Sequence, residues 1–130
     1  MTARRFSPFA HLALTFAALV LTATLSAQTE KVLHSFTGQI DGKYPYGGLI
    51  FDPAGNLYGT TYGGGNTGSC SGYGCGTAFR LAPTPGGRWQ ENVLRGFNGV
   101  SDGAYILGGL TQDASGNLYG TTMEAAGRGC

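Results

Sequence analysis

Gly55-Asn56-Leu57-Tyr58-Gly59-Thr60-Thr61 returns unchanged as Gly116-Asn117-Leu118-Tyr119-Gly120-Thr121-Thr122, 61 residues further along the chain. Self-similarity at a fixed period marks arrays of small supersecondary units, so this repeat decides the fold. Outward at the same offset, Val32-Leu33 pairs with Val93-Leu94, Phe36 with Phe97, Asp41-Gly42 with Asp102-Gly103, Tyr44 with Tyr105, and Gly47-Gly48-Leu49 with Gly108-Gly109-Leu110. Between residues 32–62 and 93–123, 18 of 31 positions are identical, and those kept are mostly glycines, aromatics and aliphatics. These are the residue types that set turns and fill cores. Positions that vary, such as Lys43/Ala104 and Ile50/Thr111, are expected on a solvated or interchangeable face.

Four short strands fit one unit. Gly48 to Asp52 is the first, and the turn Pro53-Ala54-Gly55-Asn56 closes a hairpin onto Leu57 to Thr61, with glycine supplying a positive φ. Strand alternation places Leu57, Gly59 and Thr61 on one face and Tyr58 and Thr60 on the other. A third strand, Thr77 to Leu81, sets Thr77, Phe79 and Leu81 together. The turn Pro83-Thr84-Pro85-Gly86-Gly87 leads to a fourth strand, about Trp89 to Phe97, with Val93 and Phe97 on a shared face. Lys31 to Phe36 reads as a leading outer strand. Four antiparallel strands per unit is the plan of a propeller blade, so the fold class is all-β, built of propeller-like units.

The rest of the chain bounds this reading. Residues 1–27 have the layout of a signal peptide: basic at Arg4 and Arg5, apolar from about Leu12 to Leu25, and small at Ser26 and Ala27. The apolar stretch is shorter than the ~20 residues that cross a bilayer, so cleavage near Ala27 is expected, with membrane contact only through this segment if it is retained. Residues 28–130 then hold about one and a half 61-residue units, and the pattern breaks off inside the second, as expected of a fragment of a longer propeller. Glycine supplies 24 of 130 residues while aliphatics and aromatics stay plentiful, which favours tight turns between strands over a flexible linker. Eight Lys plus Arg face seven Asp plus Glu, so no basic stripe exists to neutralise a run of phosphates, and nucleic acid is excluded as a partner.

Gly-Leu-Ile-x-Asp-x-x-Gly-Asn-Leu-Tyr-Gly-Thr-Thr, followed by a glycine-rich loop and Gly-Cys-Gly-Thr-Ala-Phe-Arg-Leu, resembles the GloVer tandem-repeat proteins. The likeness covers nearly all of the chain after the leader and rests on both copies of Gly-Asn-Leu-Tyr-Gly-Thr-Thr. It implies a secreted bacterial protein of several such units with a surface anchor, and it brings no biochemical activity to transfer. The first hairpin is also similar to NHL propeller repeats, a likeness of fold alone.

Cys70 and Cys75 flank Ser-Gly-Tyr-Gly in the long loop, and an oxidising compartment makes a disulfide the first reading. Free thiols come next, then a metal site, which would need further ligands that the neighbourhood lacks. With one residue deleted, Cys130 aligns opposite Cys70. Asp52 and Asp113 each precede a Gly-Asn turn; turn stabilisation is preferred over calcium binding because a dense run of carboxylates is missing. Tyr44, Tyr46, Tyr58, Tyr62, Tyr73 and Trp89 raise carbohydrate stacking, but the recurrence of Tyr58 and Tyr119 favours packing between blades. His34 has Arg95 as its counterpart and reads as a strand residue, while Asp41 and Asp102 suit turns. Nothing in the spacing marks a pair of glycosidase carboxylates. Gly63-Gly64-Gly65-Asn66 lacks the Lys and Ser/Thr of a phosphate loop.

The expectation is therefore a non-enzymatic, exported repeat module at the cell surface or outside the cell. It would act as scaffold or binding surface for an unidentified surface component, without cofactor or metal. The alternative is part of a polysaccharide-acting propeller enzyme whose catalytic residues lie outside this chain.

Overall fold

The computed structural model describes residues 29–66 and 70–124. The leader at residues 1–27, its cleavage near Ala27 and Cys130 lie outside the described residues. The chain divides into Met1–Lys31 and Val32–Cys130, and every described strand belongs to the second unit.

The architecture is all-β. Strands β1 (Ile50–Phe51), β2 (Leu57–Thr61), β3 (Thr77–Thr84) and β4 (Arg88–Gly96) form one antiparallel sheet in sequential order. Strands β5 (Thr111–Gln112) and β6 (Leu118–Tyr119) form a separate antiparallel pair. β2 has the expected bounds. The turn before it closes through Asp52 N–H to the Asn56 carbonyl and Gly55 N–H to the Asp52 carbonyl, both 3.0 Å. β1 is shorter than the stretch Gly48 to Asp52. β3 runs on to Thr84, beyond the expected end at Leu81, because the turn contracts to Pro85-Gly86-Gly87, with both glycines at positive φ. Pro83 is accommodated because the last residue of β3 paired with β2 is Leu81, and proline is tolerated on such a free edge.

Alternation explains the core. Leu57 pairs with Leu81, Gly59 with Phe79 and Thr61 with Thr77, so these side chains stand on one face. Leu57, Phe79 and Leu81 are buried, and Leu33, Phe36 and Trp89 pack against them. Phe36 meets Phe79 edge-on at 5.0 Å between ring centroids. Burying a side chain such as Phe79 contributes roughly 2–3 kcal/mol.

Three expectations are corrected. Residues 31–36 form no strand. Their counterparts Val93 to Gly96 lie in β4 and pair with β3, whereas no described strand lies beside residues 31–36, so Leu33 and Phe36 settle onto the core instead. Val93 and Phe97 do not share a face: the register shifts between Ala78 and Phe79, and past that bulge Phe97 lines a depression together with Thr60 and Ala78. Ala104, expected in a variable solvated position, is 1% exposed. It is buried because the second copy lies against the first unit. Tyr105 N–H donates to the Cys75 carbonyl at 2.8 Å, Phe97 N–H to the Gly76 carbonyl at 2.9 Å, and the Thr60 hydroxyl to the Gly108 carbonyl at 2.8 Å.

Candidate functional site

The loop before β1 is held by one carboxylate. Asp41 accepts from Thr37 N–H (2.7 Å) and from the Thr37 hydroxyl (2.6 Å), while Gly38 N–H donates to the Gly42 carbonyl at 3.1 Å. Sixty-one residues on, Asp102 accepts from Asn98 N–H at 2.9 Å, and Gly99 N–H donates to the Gly103 carbonyl at 3.1 Å. A nitrogen-bearing side chain stands near each carboxylate. His34 Nε2 lies 3.5 Å from Asp41, and Arg95 Nε donates to Asp102 at 3.0 Å with its terminal nitrogen bonding the same oxygen. Burial opposes ionisation of Asp41 and Asp102, but these hydrogen bonds and neighbouring cations outweigh it, and both carboxyls sit below their ordinary value.

This duplication settles how His34 and Asp41 are to be read. Glu91 completes a cluster with them: burial raises its carboxyl above the ordinary value, partly offset by His34, and its Oε1 is buried without a hydrogen-bond partner. A raised acid beside a lowered one is the pattern of an acid–base pair. In the second copy, however, Arg95 fills the place of His34, and arginine exchanges no proton at ordinary pH. What the two copies share is a carboxylate that accepts from a backbone N–H of its own loop, with a nitrogen-bearing side chain beside it. Sequence reasoning missed this pairing, although the signal was present: a basic residue at 34 and 95 and an acidic one at 41 and 102.

Each loop delivers a tyrosine. The bridge between Lys43 and Gly63 recurs as Ala104 with Glu124, and next to it Tyr44 and Tyr105 both sit at φ 58°. Tyr62 N–H donates to the Tyr44 carbonyl, and Met123 N–H to the Tyr105 carbonyl, each at 3.0 Å. A bulky residue at positive φ costs energy and persists only where surroundings hold it, and such outliers cluster at functional sites. The rings form a continuous run. Tyr44 stacks on Tyr46 at 6.0 Å, Tyr46 meets Tyr62 edge-on at 6.0 Å, and Tyr62 stacks on Tyr105 at 4.8 Å. Tyr44 is 50% and Tyr46 64% exposed, and Lys43 Nζ lies 4.5 Å from the centroid of the equally open Tyr73. Burial, the Glu124 charge and Tyr62 raise the Tyr105 phenol, which keeps it a hydrogen-bond donor at neutral pH. Such a surface can stack on a ligand and bond its polar groups.

The remaining candidates are structural. Asp52 accepts from Asn56 N–H (2.8 Å), the Asn56 amide (2.7 Å) and the Tyr58 hydroxyl (3.0 Å); Asp113 does the same with Asn117 and Tyr119 at 2.8, 2.8 and 2.9 Å. The Asn side-chain bonds are the largest cause holding both carboxyls below their ordinary value. Tyr58 is half-buried in the crevice between the two turns, whereas Tyr119 is 53% exposed. Gly64 N–H is taken by the Tyr73 carbonyl and Gly65 N–H by the Gln39 carbonyl, which leaves neither for a phosphate. Cys70 and Cys75 are joined at disulfide distance, their Cα atoms 5.4 Å apart. Among the described residues, no group of three or more His, Cys, Asp or Glu is set to hold a metal ion.

No protein-family model, curated protein or solved structure matches the chain.

Proposed function

We propose that this protein is an exported, non-enzymatic β-propeller-like repeat module of the GloVer type, which holds a surface or extracellular component on its tyrosine run. The observation that carries the reading is Tyr44 and Tyr105 held at the same positive φ in both copies, their rings joined through Tyr46 and Tyr62 into one surface. Strained, repeated and half-exposed aromatics favour recognition over packing. The acids support the non-enzymatic part, since Asp41, Asp52, Asp102 and Asp113 are spent on loops and turns. The Cys70–Cys75 pair is consistent with an oxidising compartment.

The test is retention of the exported protein on isolated cell-envelope material, wild type against Tyr44→Ala/Tyr46→Ala. Saturable retention, lost in the variant while its circular dichroism is kept, is expected. Equal retention of both proteins would remove the tyrosine surface from the account. Release of reducing ends from polysaccharide by the wild type would replace it with the enzymatic alternative.

A further inference from the structure

Both copies send their longer connections to one end of the sheet. Thr61, Thr77 and Gly96 stand at matched register there, so residues 62–66, 70–76 and 97–107 start or finish side by side. The bridge between Lys43 and Gly63 brings residues 37–46 to the same end. The turns at 53–56 and 85–87 close the opposite end.

The loop end is apolar on its outside. Ile40 and Val100 stand at the tips of the two carboxylate-held loops, one position apart in the repeat, and are 75% and 71% exposed. Loop tips ordinarily carry small or polar residues. These two are presented on rigid supports, since Asp41 and Asp102 bond the backbone of their own loops. Val100 shares a depression with Tyr105, the last ring of the tyrosine run. Tyr46 is matched by Leu107, which is 48% exposed, so what recurs at this position is open apolar surface and not a ring. Stacking on a sugar needs a ring, whereas an apolar phase accepts either side chain.

A neighbouring unit does not cover this face. The second copy packs against the first and leaves Ile40 and Tyr46 open, and the first packs against the second and leaves Val100 open. Further units would extend the face sideways. Its charge is placed among the rings: Lys43 Nζ lies 5.7 and 4.5 Å from the centroids of Tyr44 and Tyr73, with no carboxylate partner among the described residues. Of the acids at this end, Asp41 and Asp102 are taken up by their loops, and Glu124 lies beside Tyr105, at the other end of the run from Lys43.

We infer that this end of the protein lies on an anionic lipid surface, which names the component held by the tyrosine run and rests on that reading. Ile40 and Val100 enter the acyl region, the tyrosines lie at headgroup level with their hydroxyls toward water, and the Lys43 ammonium meets the lipid phosphates.

The probe is vesicles of equal parts phosphatidylethanolamine and phosphatidylglycerol, added to the full-length protein and followed by hydroxyl-radical footprinting with mass spectrometry. The leader is common to every variant, so the footprint on the loops carries the result. Vesicles are expected to protect Ile40, Tyr46, Tyr73 and Val100 and to leave Phe51, exposed toward the opposite end of the sheet, as reactive as in solution. Ile40→Asp/Val100→Asp, changed only at positions open to water, is expected to keep its circular dichroism and lose the protection of Tyr46 and Tyr73. Lys43→Glu is expected to raise the lipid needed for half-protection about fivefold, the effect of one basic residue at an anionic surface. Absence of protection in the wild type, equal protection of Tyr46 and Tyr73 in Ile40→Asp/Val100→Asp, or an unchanged lipid requirement for Lys43→Glu overturns the inference. Retention on lipid-extracted envelope that Tyr44→Ala/Tyr46→Ala abolishes, without loop protection by vesicles, overturns the lipid partner and keeps the tyrosine surface.

Discussion

Residues 32–62 and 93–123 share several hydrogen bonds and differ in burial. The fastened loop, the tyrosine at positive φ, the Asp-Asn-Tyr turn and the threonine bond to the carbonyl two residues on occur in both. Yet Leu57 and Thr61 are buried while Leu118 and Thr122 are only half so, and Gly59 is enclosed while Gly120 is open. Turns and loops are settled within a few residues of chain, so they recur wherever the sequence recurs. A core needs a strand on the other side, and among the described residues only the first copy has one, β3.

That contrast can be broken at its strongest point first. Phe79→Ala is expected to cost about 3–5 kcal/mol by urea unfolding, and Leu57→Ala about 3 kcal/mol, whereas Leu118→Ala should cost no more than about 1 kcal/mol. Equal losses for Leu57→Ala and Leu118→Ala would mean that the second copy has a core of its own. Next, an added Cβ at Gly42 overlaps the hydroxyls of both Thr61 and Thr77, and at Gly103 it overlaps the Thr122 hydroxyl. The added Cβ at Gly103 also overlaps the Glu124 carbonyl, and both glycines hold positive φ, so Gly42→Ala and Gly103→Ala should each destabilise by about 2–4 kcal/mol.

Smaller effects sharpen the comparison. Replacing Cys70 and Cys75 with serine should lower stability by about 2 kcal/mol, the loop-closure value for so short a ring. Alkylation followed by mass measurement should find neither thiol free in the wild type purified without reductant. The smallest difference is expected at the turns, where Asp52 and Asp113 have the same partners. Their folded values lie below the ordinary 3.8, so each contributes stability that is complete above that pH and is lost as pH falls through the lower folded value. Carboxyl NMR titration should give two similar midpoints, both under 3.8. A midpoint for Asp113 at the ordinary value would mean that the second turn does not hold.

What was legible in the sequence follows the same division. The bounds of β2, the Gly55 turn and the alternation of Thr77, Phe79 and Leu81 depend on near neighbours, and the sequence alone sufficed for them. The placement of Phe97 was not legible, because a bulge moves every later side chain to the other face and nothing in Val93-Leu94-Arg95 announces one. Residues 31–36 have a strand composition and no strand, since a ladder needs a partner. The burial of Ala104 depends on Cys75, about thirty residues away, a contact that no local pattern encodes. For the site, the recurring tyrosines were visible, but their mutual stacking depends on how the two copies meet.

The disulfide loop has a temporal consequence. Cys75 is fully buried, a Cβ at Gly99 would lie 2.9 and 3.1 Å from the two sulfurs, and Tyr105 bonds the Cys75 carbonyl. Residues 99–105 thus sit as a cover over the bridge. During synthesis the cysteines emerge first and the cover later, so an oxidant reaches both thiols unobstructed for the time that about thirty residues take to follow. Once the cover closes, a reductant must wait for it to open. The direction in which the chain is made therefore favours oxidation over reduction at this site, a ratchet set by residue order.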